Sequence, residues 1–199
     1  ALSYFTEFWP SDNTDPIERL FIQWGFSQVF PAKTMCAHVT TWNKNSSVKF
    51  RTDVAMMCKL GFDIKLADMS KDDETYCRTA VQNYNRLKPV VLEGDMYRLV
   101  SPYGSNHTST MYVGKDKDKA VVFAFDIHPR YAEKILPVRL QGLDADKMYR
   151  VKEINLMPGA NSSLSGNGEV FSGEFLMNVG LNLFTTQQLN SRVIEVVAE

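Results

Sequence analysis

Cysteine is scarce. Cys36, Cys58 and Cys77 are the three in 199 residues, an odd number with no Cys-x-x-Cys spacing, which excludes a disulfide framework and a zinc knuckle. Their apolar neighbours point instead to buried free thiols, which permit the cytoplasm, while the periplasm stays open because an export signal would lie upstream. Neither sign of charge is in excess: 22 basic residues face 23 acidic ones for a net charge of -1. Nothing in that balance draws the chain to a phosphate backbone, so nucleic-acid binding is not expected. No apolar run approaches the ~20 residues of a membrane-spanning helix. Phosphate loops, dinucleotide fingerprints and nucleophile elbows are missing, and His38, His107 and His128 share no metal-ligand spacing. None of these patterns points to a metal or cofactor. The chain opens Ala1-Leu2-Ser3-Tyr4-Phe5 with neither a methionine nor a secretory leader, and reads either as a processed protein or as the later part of something longer.

What is present falls into two grammars. Residues 1–94 alternate short strand-like runs with amphipathic helices. Leu2 to Trp9 is aromatic-rich and reads as a buried strand. Asp15 is placed to cap a helix, with Pro16 at its first position, Glu18 completing a capping box and Gly25 ending it. Ile17, Leu20, Phe21 and Trp24 give that helix its apolar stripe. Met35–Thr40 reads as a strand, Arg51–Leu60 as a helix closed by Gly61, and Phe62–Leu66 as a strand. Ser70 then caps a long helix whose buried stripe is Tyr76, Ala80, Tyr84 and Leu87. The alternation predicts a parallel sheet with helical crossovers, in about three units, too few to close an eight-unit barrel.

Residues 95–199 carry strands separated by turn signals. Met96–Val100, Thr108–Val113, Ala120–Asp126, Leu136–Leu140, Met148–Ile154, Glu174–Val179 and Arg192–Val197 predict an antiparallel β-sandwich. Lys115–Lys119, with alternating charge, reads as a solvated hairpin tip, and Met157–Glu169 as a surface loop. Tyr97, Tyr103, Tyr112 and Tyr149 could stack on sugars, but filling the core is the better reading.

Chemistry concentrates where the first strand gives way to the first helix, the edge of a parallel α/β sheet that carries active sites. Two carboxylates lie there. Asp15 is accounted for by its cap, whereas Asp12 has no local duty. A carboxyl group beneath Trp9 and among aromatics would be desolvated, would hold its proton and could act as a general acid. A turn aspartate in a polar loop is the competing reading, and spacing alone favours it. His38 could face the same pocket or sit hydrogen-bonded in the core.

Ser11-Asp12-Asn13-Thr14-Asp15-Pro16-Ile17-Glu18-Arg19 resembles the SDxxDxxxR signature of glycoside hydrolase family 36, the bacterial-type α-galactosidases. Ala37-His38-Val39-Thr40, Arg51-Thr52-Asp53-Val54-Ala55-Met56, Leu60-Gly61-Phe62 and Ser172-Gly173-Glu174-Phe175-Leu176-Met177 follow the family's course in order. The resemblance implies the last three or so units of a (β/α)8 barrel in residues 1–94 and a C-terminal antiparallel β-domain in 95–199. It implies a retaining hydrolase acting on terminal α-linked galactose of oligosaccharides, with Asp12 as general acid/base. Ser11, Asp15 and Arg19 are the motif's companions, Arg19 as a brace rather than a substrate contact. The family's nucleophile lies in a Lys-Trp-Asp segment that this sequence does not contain. The remaining N-terminal part of the same enzyme is thus an implied partner, and the chain alone is expected to be inactive and to aggregate or re-pair. Homo-oligomers also fit the family. A non-catalytic carbohydrate-binding or interaction module, an α-N-acetylgalactosaminidase and a galactosyl-transferring relative are the alternatives.

Overall fold

The structure, a computed structural model, describes residues 4–42 and 45–199. Of the first expected strand, Leu2 and Ser3 lie outside the described residues, and the rest contributes a single parallel bridge, Phe8 to Met35. Phe8 N–H donates to the Thr34 carbonyl (2.8 Å) and the Phe8 carbonyl accepts from Cys36 N–H (3.0 Å). Helix α1 (Pro16–Phe26) begins where the cap predicts: Asp15 accepts from the Ile17 and Glu18 amides. Glu18 does not close the box, because Asn13 Oδ1 takes the Asp15 amide at 2.9 Å. Gly25 lies within the last turn, and Ser27 is the C-cap. The buried stripe is also shifted. Pro16, Arg19, Leu20 and Gln23 face inward, while the predicted Ile17, Phe21 and Trp24 are only half-buried.

Strand β1 (Cys36–Thr40) leads to α2 (Val48–Ala55), which Ser47 caps by accepting the Phe50 amide. The helix is shorter than expected and starts earlier, since the Ser47 cap outweighs the apolar Met57-Cys58 continuation. Residues expected to extend it form β2 (Lys59–Asp63), parallel to β1 with His38 opposite Gly61 and Thr40 opposite Asp63. Gly61 thus belongs to a strand rather than to a helix end. Helix α3 (Lys71–Glu93) is capped by Ser70, and Tyr76, Ala80, Tyr84 and Leu87 are buried as predicted, joined by Val90 and Val91.

Six strands follow: β3 (Asp95–Val100), β4 (His107–Val113), β5 (Lys119–Asp126), β6 (Met148–Ile154), β7 (Val170–Ser172) and β8 (Asn190–Ala198). They form one antiparallel sheet in the order β3-β4-β5-β8-β6-β7. Two of the seven expected strands behave differently. Glu174–Val179 is mostly helical, because Ser172 caps α4 (Gly173–Asn178) through the Phe175 amide. Leu136–Leu140 supplies only a bridge, Val138 to Leu181. These extended pieces and the buried Leu140, Leu143, Leu176 and Leu183 form the second layer over the sheet. Lys115–Lys119 is the β4–β5 tip, as expected; Lys147 donates to Asp118 at 2.8 Å and Lys115 pairs with Asp95. In the Met157–Glu169 segment Leu164 is an exception to surface exposure, with its side chain buried.

Period-2 alternation splits the central strands between two cores. Ala120, Val122, Ala124 and Ile194 face the second layer, whereas Val121, Phe123, Phe125 and Val193 face α2 and α3. Phe50 of α2 meets Phe125 edge-on at 5.6 Å between ring centres, and Tyr112 O–H donates to the Met57 carbonyl at 2.7 Å. Burial of a phenylalanine like Phe123 is worth about 1.5–3 kcal/mol. The helical part and the sheet therefore share a core.

Candidate active site

Phe8, β1 and β2 run parallel, so their C-terminal ends lie together, and the loop holding Asp12 starts at that end. Its backbone is tied down at several points. Asn13 N–H donates to Ser11 Oγ at 3.1 Å, and Asp15 Oδ1 takes the Ile17 and Glu18 amides at 3.0 and 3.1 Å. Thr40, at the end of β1, donates from its hydroxyl to Thr14 Oγ1 at 3.0 Å. Arg19 does most of the bracing. It is only 3% exposed, and it donates to the Ser11 carbonyl and the Cys36 carbonyl, each at 3.0 Å. Its guanidinium carbon is 5.9 Å from the centre of the Trp9 ring. Gln23, one turn on, donates to the Val54 carbonyl at 2.9 Å and joins α1 to α2.

Within this fixed loop Asp12 is exposed. No hydrogen bond or ion pair among the described residues engages its carboxylate. The desolvation expected from neighbouring aromatics is therefore not supplied by these residues. The reason is geometric: Trp9, which precedes the loop, turns its ring toward β1 rather than over Asp12. There Trp9 meets His38 edge-on, ring centres 4.0 Å apart. His38 is neither deep in the core nor in a described hydrogen bond. It projects from the face of β1 opposite the buried Ala37 and Val39, and lies over Gly61 of β2, where a Cβ would come within 2.4 Å of the ring. Burial pulls its pKa below the usual 6.5. The Trp9–His38–Gly61 stack is thus part of the inner face of the parallel strands. Sequence reasoning named Trp9 and His38 but not Gly61, whose signal was hidden by the misplaced helix end.

On the same face, at the other end, Lys59 pairs with Glu7 at 2.6 Å. Every residue of β2 is at least partly exposed, and its second edge is unpaired among the described residues. Beside it, Phe62, Ile64, Leu66, Met69, Cys77 and Val81 line an open apolar groove of about 500 Å³. No group of three or more His, Cys, Asp or Glu side chains among the described residues is arranged to hold a metal. No described helix is long and apolar enough to cross a membrane. Of the tyrosines, Tyr112 and Tyr149 are core residues, whereas Tyr103 is 69% exposed against Phe21.

Two family models divide this chain between them. "Melibiase" matches residues 1–94, and "Glycosyl hydrolase family 36 C-terminal domain" matches residues 107–196. The chain belongs to glycoside hydrolase family 36. It corresponds to the C-terminal portion of its family 36 relatives and spans about a quarter of their length. Alpha-galactosidase 2 of Hypocrea jecorina is 35% identical over 98% of this chain and 25% of its own. Among solved family 36 structures, AgaB of Geobacillus stearothermophilus superposes with a TM-score of 0.86 at 28% identity, over 100% of this chain and 26% of that one. An AgaA variant of the same organism, in complex with raffinose, gives 0.82 at 27% identity over 95% and 25%. An α/β beginning followed by an antiparallel β-domain is thus the family 36 arrangement, as the sequence implied.

Proposed function

We propose that this chain supplies the C-terminal part of the catalytic barrel, residues 1–94, and the β-domain, residues 95–199, of a retaining α-galactosidase. The enzyme hydrolyses terminal α-linked galactose of oligosaccharides such as raffinose. Asp12 is its general acid/base, and the nucleophilic carboxylate comes from another part of the polypeptide. The chain alone is inactive, because retention requires two carboxyl groups ~5–5.5 Å apart. One observation carries the reading: in a loop whose backbone is fixed by Asp15 and Arg19, Asp12 carries an exposed carboxylate that no hydrogen bond or ion pair among the described residues engages, at the C-terminal ends of parallel strands. Two further features support it. The relatives are named alpha-galactosidases, and one family structure carries raffinose. The uncovered edge of β2 and the apolar groove beside it also fit strands and helices supplied by the rest of a barrel. The missing walls of the site would then provide the desolvation that Asp12 lacks here.

The test compares leaving groups in the full-length enzyme. Asp12→Ala is expected to slow raffinose hydrolysis by at least 10²-fold, the usual scale of general acid catalysis. Aryl galactosides with acidic phenols need no protonation for the first step, so their galactosyl-enzyme should still form in a burst. Equal losses in that first step for both substrates would overturn the assignment.

A further inference from the structure

At the start of β4, His107 is 5% exposed, and its Nδ1 lies 2.8 Å from Asp126 Oδ1 across the β4–β5 pair. Asp126 is also enclosed. It accepts from the Thr185 amide at 3.1 Å, from the Thr185 hydroxyl at 2.6 Å and from Asn190 Nδ2 at 3.0 Å. A carboxylate surrounded by donors acts only as an acceptor, which assigns the hydrogen on the facing imidazole nitrogen to Nδ1. Phe184 stacks on the ring at 4.7 Å and fixes its plane. Nε2 is the group this arrangement leaves over: it is buried and has no hydrogen-bond partner among the described residues. Glu133 Oε1 is 3.8 Å away, beyond hydrogen-bonding distance but near enough to form an ion pair with a protonated ring. Glu133 is itself held in place by the Arg130 amide (2.8 Å) and Asn106 Nδ2 (3.1 Å).

His107 and Glu133 both line a groove of about 460 Å³, with Lys134, Arg139, Leu136 and Phe184 among its walls. That volume is within the range of small-molecule pockets, about 300–1,000 Å³. A buried polar atom held in position but left unpaired implies a partner that arrives from outside. The chemistry of the walls narrows that partner. A ring nitrogen and a carboxylate side by side suit hydroxyl groups, which can both donate and accept. The carboxylate disfavours an anion, and no third ligating side chain among the described residues completes a metal site. Apolar walls beside these two polar groups, with Lys134 and Arg139 as donors, match a molecule that alternates C–H faces with hydroxyl groups. We propose that this groove on the antiparallel sheet binds a saccharide, with adjacent hydroxyls hydrogen-bonded to His107 Nε2 and Glu133.

The inference does not depend on the role of Asp12, and the test keeps the two apart. Galactose, which the enzyme cannot hydrolyse, is titrated calorimetrically into the unaltered full-length protein and soaked into its crystals. The expected result is two sugars per chain, one of them in the groove. Glu133→Gln, on a surface loop where folding is not at risk, should weaken that site at least tenfold. His107→Ala should abolish it. Both variants, in the otherwise unaltered enzyme, should retain aryl-galactoside turnover within about twofold. Three outcomes would overturn the proposal: a titration unchanged by Glu133→Gln, sugar density seen at crystal concentration only, or Nε2 bonded to another residue of the full-length chain.

Discussion

Arg19 holds Ser11 from eight residues away, its guanidinium donating to the carbonyl that immediately precedes Asp12. The second arm reaches the Cys36 carbonyl on β1, so one buried cation couples the acid-bearing loop to the sheet. Removing it strands two carbonyls and leaves the loop tethered mainly by the Asp15 cap. Arg19→Met should destabilise the protein by about 2–3 kcal/mol, the range for charge-assisted hydrogen bonds, as measured by urea unfolding. Arg19→Lys should recover only part, since a point charge cannot serve both acceptors in a fork. If turnover fell while the loop stayed ordered in a crystal of the variant, bracing would not be its role.

Gly61 and His38 form a second coupled pair. A methyl group at position 61 would come within 2.4 Å of the imidazole, so Gly61→Ala must push His38 away from Trp9. The expected cost is about 1–3 kcal/mol, typical of overpacking. His38→Ala in the same protein should relieve most of it. The double-mutant cycle reads the coupling directly, and additive losses would show that the contact does not matter.

Asp53 is completely buried where α2 meets the β-domain. Lys49 Nζ lies 2.5 Å from its Oδ2, with Ser191 Oγ at 2.7 Å, Tyr76 O–H at 2.9 Å from Oδ1, and Asn155 adding a further bond. Replacing one member of such a pair leaves an unpaired charge, at a cost of about 3–5 kcal/mol. Asp53→Ala, which strands four donors, and Lys49→Met, which leaves a fully buried carboxylate without its cation, should therefore both lower the unfolding midpoint in urea. A midpoint unchanged by either substitution would contradict this.

The three thiols should be slow to react. Burial pushes Cys58 up to about 12 and Cys77 up to about 11, and raises Cys36 as well. Since the thiolate is the nucleophile, the native protein at pH 8 should react sluggishly with a disulfide reagent at all three. All should react at once in denaturant. A fast-reacting thiol at Cys58 in the folded protein would refute the packing around it.

These pairs show where the sequence was legible. Ser70 with its Tyr76, Ala80, Tyr84 and Leu87 stripe was readable because cap and period agree and α3 is long enough for both to repeat. The Asp15 start of α1 was readable for the same reason, but its buried face was not. Arg19 and Gln23 are polar, and only the carbonyls of Ser11, Cys36 and Val54, brought by other segments, make their burial tolerable. Glu174–Val179 looked like a strand from its residue types, until the Ser172 cap was seen to start a helix instead.

The order of amino acids alone determined the starts of α1 and α3, the alternation that separates the parallel from the antiparallel part, and the motif around Asp12, because caps and hydrophobic period act within a few residues. Tertiary structure decided which face of α1 is buried, that Gly61 receives the His38 ring, and that His107 Nε2 is buried with no hydrogen bond among the described residues. Those outcomes depend on partners many residues away, whose approach no local pattern encodes.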